Sequence, residues 1–141
     1  MADQLKGKRV AALATHGFEQ DELLQPRKAL ADAGATVDVV SPESGRIRGW
    51  KHKEWGEEVA VDRTLDQARA DEYDALVLPG GVANPDKLRV NQDAVRFVRS
   101  FFQAGCEINL EFRIGKNYRT YIATNHHYTV LLSGHRTLLF T

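Results

Sequence analysis

The apolar positions of this chain follow two rhythms, and the change between them falls near residue 105. Val10 to Ala14 and Ala75 to Leu78 are unbroken apolar runs, the pattern of strands covered on both faces in a parallel sheet. With Thr36-Val37-Asp38-Val39-Val40 they predict parallel strands at 9–14, 36–40 and 75–78. Between the first two, from Glu19 on, Leu23, Leu24, Ala29, Leu30 and Ala33 recur at helical spacing. Pro26 should kink that helix or mark a late start, and Gly34 is its natural C′ residue. Strand, helix, strand over some thirty residues is one βαβ unit with a right-handed crossover.

After Ser41-Pro42-Glu43-Ser44-Gly45 the pattern weakens to alternation over residues 46–62, predicting an excursion of short antiparallel strands. Trp50 and Trp55 would cover the sheet edge there. Leu65 to Ala70 reads as a short helix, and Asn84-Pro85-Asp86 as a helix start with Pro85 at the first helical position. Asn91 or Gln92 opens a further helix with an apolar face of Val95, Val98, Phe101 and Phe102, ended by Gly105.

From Cys106 the rhythm becomes strict alternation. Ile108, Leu110, Phe112 and Ile114 predict a strand at 108–114 that joins the parallel set. Further strands follow at 118–124, 128–132 and 136–140, separated by turn residues, as in an antiparallel meander. Composition changes with the rhythm: residues 1–105 hold fifteen alanines, whereas the later segment holds only Ala123 and no proline or aspartate. Residues 1–105 thus form an α/β portion, and 106–141 a β-rich tail of different character packed on the same domain.

Charge narrows the function classes. Nineteen basic and nineteen acidic residues balance, so no field favours nucleic acid or an anionic membrane. The longest apolar runs fall short of a bilayer span, and the first residues lack a signal peptide's apolar core. One cysteine, Cys106, forms no intrachain disulfide, and a reducing, cytoplasmic setting is expected.

The chemistry gathers at Pro79-Gly80-Gly81. Pro79 ends the strand, and the two glycines allow positive φ and leave backbone amides uncovered by side chains. Such a turn at the carboxyl end of a parallel strand is either a tight turn without chemistry or a place for a ligand or an oxyanion. Glu19, by position, is an acid suited to a helix's first turn.

Residues 6–105 resemble the PfpI family of intracellular cysteine peptidases and protein deglycases, within the class I glutamine amidotransferase-like superfamily. The resemblance is carried by Gly17-Phe18-Glu19-Gln20-Asp21-Glu22-Leu23, Pro26-Arg27-Lys28-Ala29-Leu30, Val39-Val40-Ser41-Pro42, Tyr73 to Pro85 and Phe97 to Phe102. It implies a flavodoxin-like three-layer α/β sandwich with a parallel sheet, here incomplete and completed by the antiparallel tail. It also implies a thiolate nucleophile in a Cys-His-Gly turn, a glutamate that hydrogen-bonds it, and glycine amides that stabilise the oxyanion. Glu19 is that glutamate by resemblance, and Gly80 and Gly81 are those glycines.

The nucleophile is absent, since nothing after Gly105 reads Cys-His-Gly. Cys106 would lie at the start of strand 108–114, about 20 Å from that strand's far end, so it is a bystander. His126, His127 and His135 are read as solvated turn residues, and no metal or cofactor is expected. Four basic against two acidic residues in the tail are too few to argue for nucleic acid. The expected protein is a PfpI-like hydrolase of the stress response with impaired catalysis, truncated or chimeric. The alternative is a non-catalytic stress-associated binding or chaperone-like module, or a rearranged fold. Apolar sheet surface left bare and open tail strand edges predict self-association, most simply a dimer.

Overall fold

The computed structural model describes residues 4–103, 107–114, 118–124, 129–132 and 136–139. Its centre is a six-stranded sheet in the order β5-β2-β1-β6-β8-β7. Strands β1 (Arg9–Leu13), β2 (Thr36–Ser41), β5 (Arg63–Thr64) and β6 (Ala75–Leu78) are mutually parallel. Val10, Ala11 and Ala12 of β1 register with Ala75, Leu76 and Leu76's neighbour Val77 of β6.

Alternate residues of these strands enter two separate cores, which is why their sequences are continuously apolar. Val10, Ala12, Val39 and Val77 pack with Leu23 and Leu30 of helix α1 (Gln20–Asp32). Ala11, Leu13, Val40 and Leu76 pack with Leu88 of helix α2 (Ala83–Leu88) and with helix α3 (Gln92–Gln103). Phe97 and Phe101 of α3 meet edge to face at 5.3 Å, and Tyr73 approaches Phe97 in the same manner at 6.3 Å.

The helix ends obey local chemistry. Gly34 takes φ +99° just past α1, its N–H donating to Ala31 at 3.0 Å, and Ala35 donates to Leu30 at 3.0 Å. That pair of bonds is a Schellman ending. Asn91 opens α3 by accepting the Ala94 N–H at 3.0 Å. The helix α1 runs through Pro26, which is buried.

Several expectations need correction. Residues 65–67 form a turn, 68–69 take no regular structure, and only Ala70–Glu72 winds into a 3₁₀ turn. The Gln67 side chain accepts the Thr64 N–H and Thr64 bonds Asp66, so polar side chains compete with helix formation there. Pro85 is the third residue of α2, not the first. Among the described side chains the buried face of α3 is Ala94, Phe97 and Phe101, while Val95 and Val98 are only partly covered; the Phe102 side chain lies outside them. Trp50 and Trp55 stand on the hairpin of β3 (Arg46–Lys51) and β4 (Glu54–Ala60), which is a sheet of its own and is bridged to Glu19 through Trp50.

In the tail, β7 (Glu107–Ile114) does reach the central sheet, but as its edge. β8 (Tyr118–Thr124) lies between it and β6, antiparallel to both. β9 (Thr129–Leu132) and β10 (Arg136–Leu139) form a separate hairpin. Cys106, Gly105 and the three tail histidines lie outside the described residues. No helix among the described residues is long and apolar enough to cross a membrane.

Candidate functional site

Because β1 and β6 are parallel neighbours, the turns that follow them emerge side by side at one edge of the sheet. Asn84 joins the two turns. Its side-chain oxygen accepts the Thr15 N–H at 2.8 Å, and its amide nitrogen donates to the Pro79 carbonyl at 2.8 Å. The residue is 1 % exposed, so each partner is a buried backbone group that only this side chain satisfies. The Glu19 N–H then donates to the Gly80 carbonyl at 3.1 Å.

The contact is close enough to require glycine. Gly81 has φ +103°, and a Cβ there would stand 3.1 Å from the Glu19 nitrogen and 3.2 Å from the Gly17 oxygen. Gly17 has φ +88°, and its Cβ would meet that of Ala83 at 2.8 Å.

Two carboxylates face this junction. Glu19 is the N-cap residue of α1, yet its side chain makes no capping bond, and it is 7 % exposed. Burial raises its pKa above the ordinary 4.5, Asp21 pushes the same way, and His52 and Lys51 oppose. Glu22, one turn further along α1, is 2 % exposed and accepts the Gly80 N–H. The Gly80 amide is therefore not the uncovered donor expected from the sequence. The Gly81 amide has no hydrogen-bond partner among the described residues.

The hairpin supplies a wall. The Gly17 N–H donates to Arg48 at 2.9 Å and the Trp50 N–H to Phe18 at 2.7 Å. His16 Nδ1 accepts the Arg48 N–H at 3.1 Å, and Gln20 accepts the Glu57 N–H at 2.7 Å. Gly49 lets β3 lie on the Phe18 ring, where a Cβ would stand 3.0 Å away. Trp50 and Trp55 pack edge to face at 5.2 Å. Their rings, the Pro79-Gly80-Gly81 turn, α2 and the outer face of α3 enclose a cavity of about 1300 Å³.

Of the residues singled out in the sequence, Glu19, Gly80 and Gly81 all line this cavity. Glu22, Asn84 and Gln20 were missed as site residues. Their signal was a polar residue on the apolar side of a helix, which apolar periodicity does not count. No cysteine, serine or threonine lines the cavity among the described residues. Glu107, the first residue of β7, registers with Thr124, which pairs with Ala75 at the start of β6. The glycine turn is at the other end of β6, about 16 Å away at 3.3 Å per residue.

Replacing Asn84 by Ala is expected to cost about 2–4 kcal/mol in urea unfolding, because two buried backbone groups lose their partner. Glu19 behaves differently. Its raised pKa means that the folded chain holds the proton longer than the unfolded chain. Its contribution to stability is full below the ordinary pKa and is lost as pH rises through the folded value. Glu19→Gln is therefore expected to gain stability relative to the wild type as pH rises from about 4 to 8. Urea midpoints across that range will test the sign.

Comparison with known proteins accords with this geometry. Residues 8–109 match the DJ-1/PfpI family, and the rest of the chain is unmatched. The chain is 42 % identical over 97 residues to Deglycase PfpI of Pyrococcus furiosus, covering 69 % of this chain and 55 % of that protein. It is 37 % identical over 95 residues to General stress protein 18 of Bacillus subtilis, covering 67 % and 54 %. Among solved structures, a two-domain protein from Anabaena variabilis with DJ-1/ThiJ/PfpI-like and ferritin-like domains matches at 36 % identity and TM-score 0.63, covering 70 % of this chain and 27 % of that one. The chain spans about half the length of the curated relatives it matches. With a parallel α/β sheet, a small antiparallel hairpin and this match over most of its length, the chain belongs to the DJ-1/PfpI family.

Proposed function

We propose that this chain carries the carboxylate and oxyanion side of a PfpI-type hydrolase site, and that its cysteine-dependent catalysis is absent or residual. In this reading Glu19 is the orienting carboxylate and the Gly80-Gly81 turn the oxyanion element. The ancestral reaction is thiolate attack on a carbonyl of a glycated or unfolded protein, or of a small reactive aldehyde. The observation that carries it is the junction of the two turns, with the Glu19 N–H on the Gly80 carbonyl at 3.1 Å and no thiol or hydroxyl side chain in the described wall. The bond from Gly80 to Glu22 leaves Gly81 as the donor for a developing anion.

The finer architecture belongs to the same proposal. In this reading the matched region is an incomplete flavodoxin-like sandwich belonging to a fused or rearranged chain that works in the cytoplasm, and the pairing of β8 with β6 supports a tail that extends the sheet. A non-catalytic binding module is the second reading, favoured by the size of the apolar cavity.

Iodoacetamide distinguishes an activated thiolate from an ordinary one. Near pH 6 it should label Cys106 no faster than a free cysteine, and Cys106→Ala should leave any deglycase or peptidase activity unchanged. Fast labelling together with loss of activity would return the chain to the working hydrolases. Size-exclusion chromatography with light scattering should give a dimer or larger assembly at micromolar concentration, and a monomer there would refute the self-association.

A further inference from the structure

The cavity is much larger than a small aldehyde needs, and it exceeds the ~300–1,000 Å³ usual for ligand pockets. Its floor reaches Leu13, which is fully buried, and its rim carries Val82, which is 84 % exposed. Between them the lining is aliphatic on the side of β6 and the helices, through Leu78, Leu88, Val95 and Val98, and aromatic on the hairpin side, through Trp50 and Trp55. This gradient from core to solvent suits a single-chain molecule entering end-on.

The carboxylates and the Lys and Arg side chains of the lining stand on different helices, and His52 lines it from the hairpin turn. Both carboxylates, Glu19 and Glu22, stand on α1 at the glycine turn, and Glu22 is already bonded to Gly80. The cations Lys87, Arg89 and Arg99 stand on or beside α2 and α3. Lys87 reaches the His16 carbonyl at 3.2 Å and Arg89 pairs with Asp86 at 3.2 Å. Arg99 is exposed and has no ion-pair or hydrogen-bond partner among the described residues. On α3 it lies one turn after Val95, so a guanidinium and an aliphatic side chain share one helix stripe facing the cavity.

We propose that the cavity binds a free long-chain carboxylate, its aliphatic tail between the tryptophan wall and Val95 and Val98, and its head on Arg99. An uncharged chain would fill the same apolar volume without engaging the cation, and an acidic head at the glycine turn would meet Glu19 and Glu22. Charge complementarity therefore selects both the ligand class and its orientation. The inference deepens the binding-module reading and needs no thiol chemistry, so it stands or falls apart from the hydrolase proposal.

Trp50 and Trp55 are the only two tryptophans of the chain, so intrinsic fluorescence reports directly on the wall. Dodecanoate, kept below its micelle concentration, should change that fluorescence saturably, and it should bind about tenfold more tightly than dodecan-1-ol. Arg99→Glu should abolish that preference while leaving dodecanol binding unchanged, and Val95→Phe should weaken both ligands by narrowing the channel. Circular dichroism confirms that each variant is folded. Equal affinity for acid and alcohol, an Arg99→Glu variant that still prefers the acid, no saturable response, or a response only to phospholipid vesicles would each overturn the proposal.

Discussion

One buried amide fixes the geometry of the candidate site. The Asn84 side chain holds the turn after β1 and the turn after β6 at hydrogen-bond distance, giving a donor to one and an acceptor to the other. The parallel ladder between β1 and β6 brings the turns to the same sheet edge, but a ladder alone leaves their tips free. Asn84 removes that freedom, and the absence of side chains at Gly17 and Gly81 makes the close approach sterically possible. Glu19 and Glu22 then reach one turn from one helix.

What could be read from the sequence was whatever a large apolar signal encodes. Val10 to Ala14 and Ala75 to Leu78 had to be covered on both faces, and they are, by two cores that share no strand residue. Glu19 and the glycine turn were legible through family resemblance, and both face the cavity. Gln20 and Glu22 were not, because a polar residue on a buried helix face is recognised only by its partner, and the partners lie 37 and 58 positions away. The apolar face of α3 was misjudged by about one position for a related reason. The helix has apolar residues on more than one side, and the sequence does not say which side meets the sheet and which meets the cavity.

The tail shows the same limit in β structure. Alternation and turn residues announced the strands, but pairing depends on which edge is available. β8 occupies the edge of β6, so the glycine turn is flanked by a strand running against β6 rather than with it. Since ligands in parallel sheets gather where carboxyl ends lie together, this reversal withholds from the site the loop that a parallel neighbour would bring. Family membership over residues 8–109 and the altered setting of its site are thus compatible properties of one chain.

The hairpin has a consequence beyond the cavity it walls. Among the described residues strand β4 has no strand partner but β3; Gln20 of α1 accepts its Glu57 N–H, and Glu54, Glu57 and Glu58 are exposed along it. If two such strands approached across a two-fold axis, they would bring like charges together, which disfavours sheet extension. The hairpin can therefore keep a tryptophan half bare beside the pocket without becoming a template for fibrous growth.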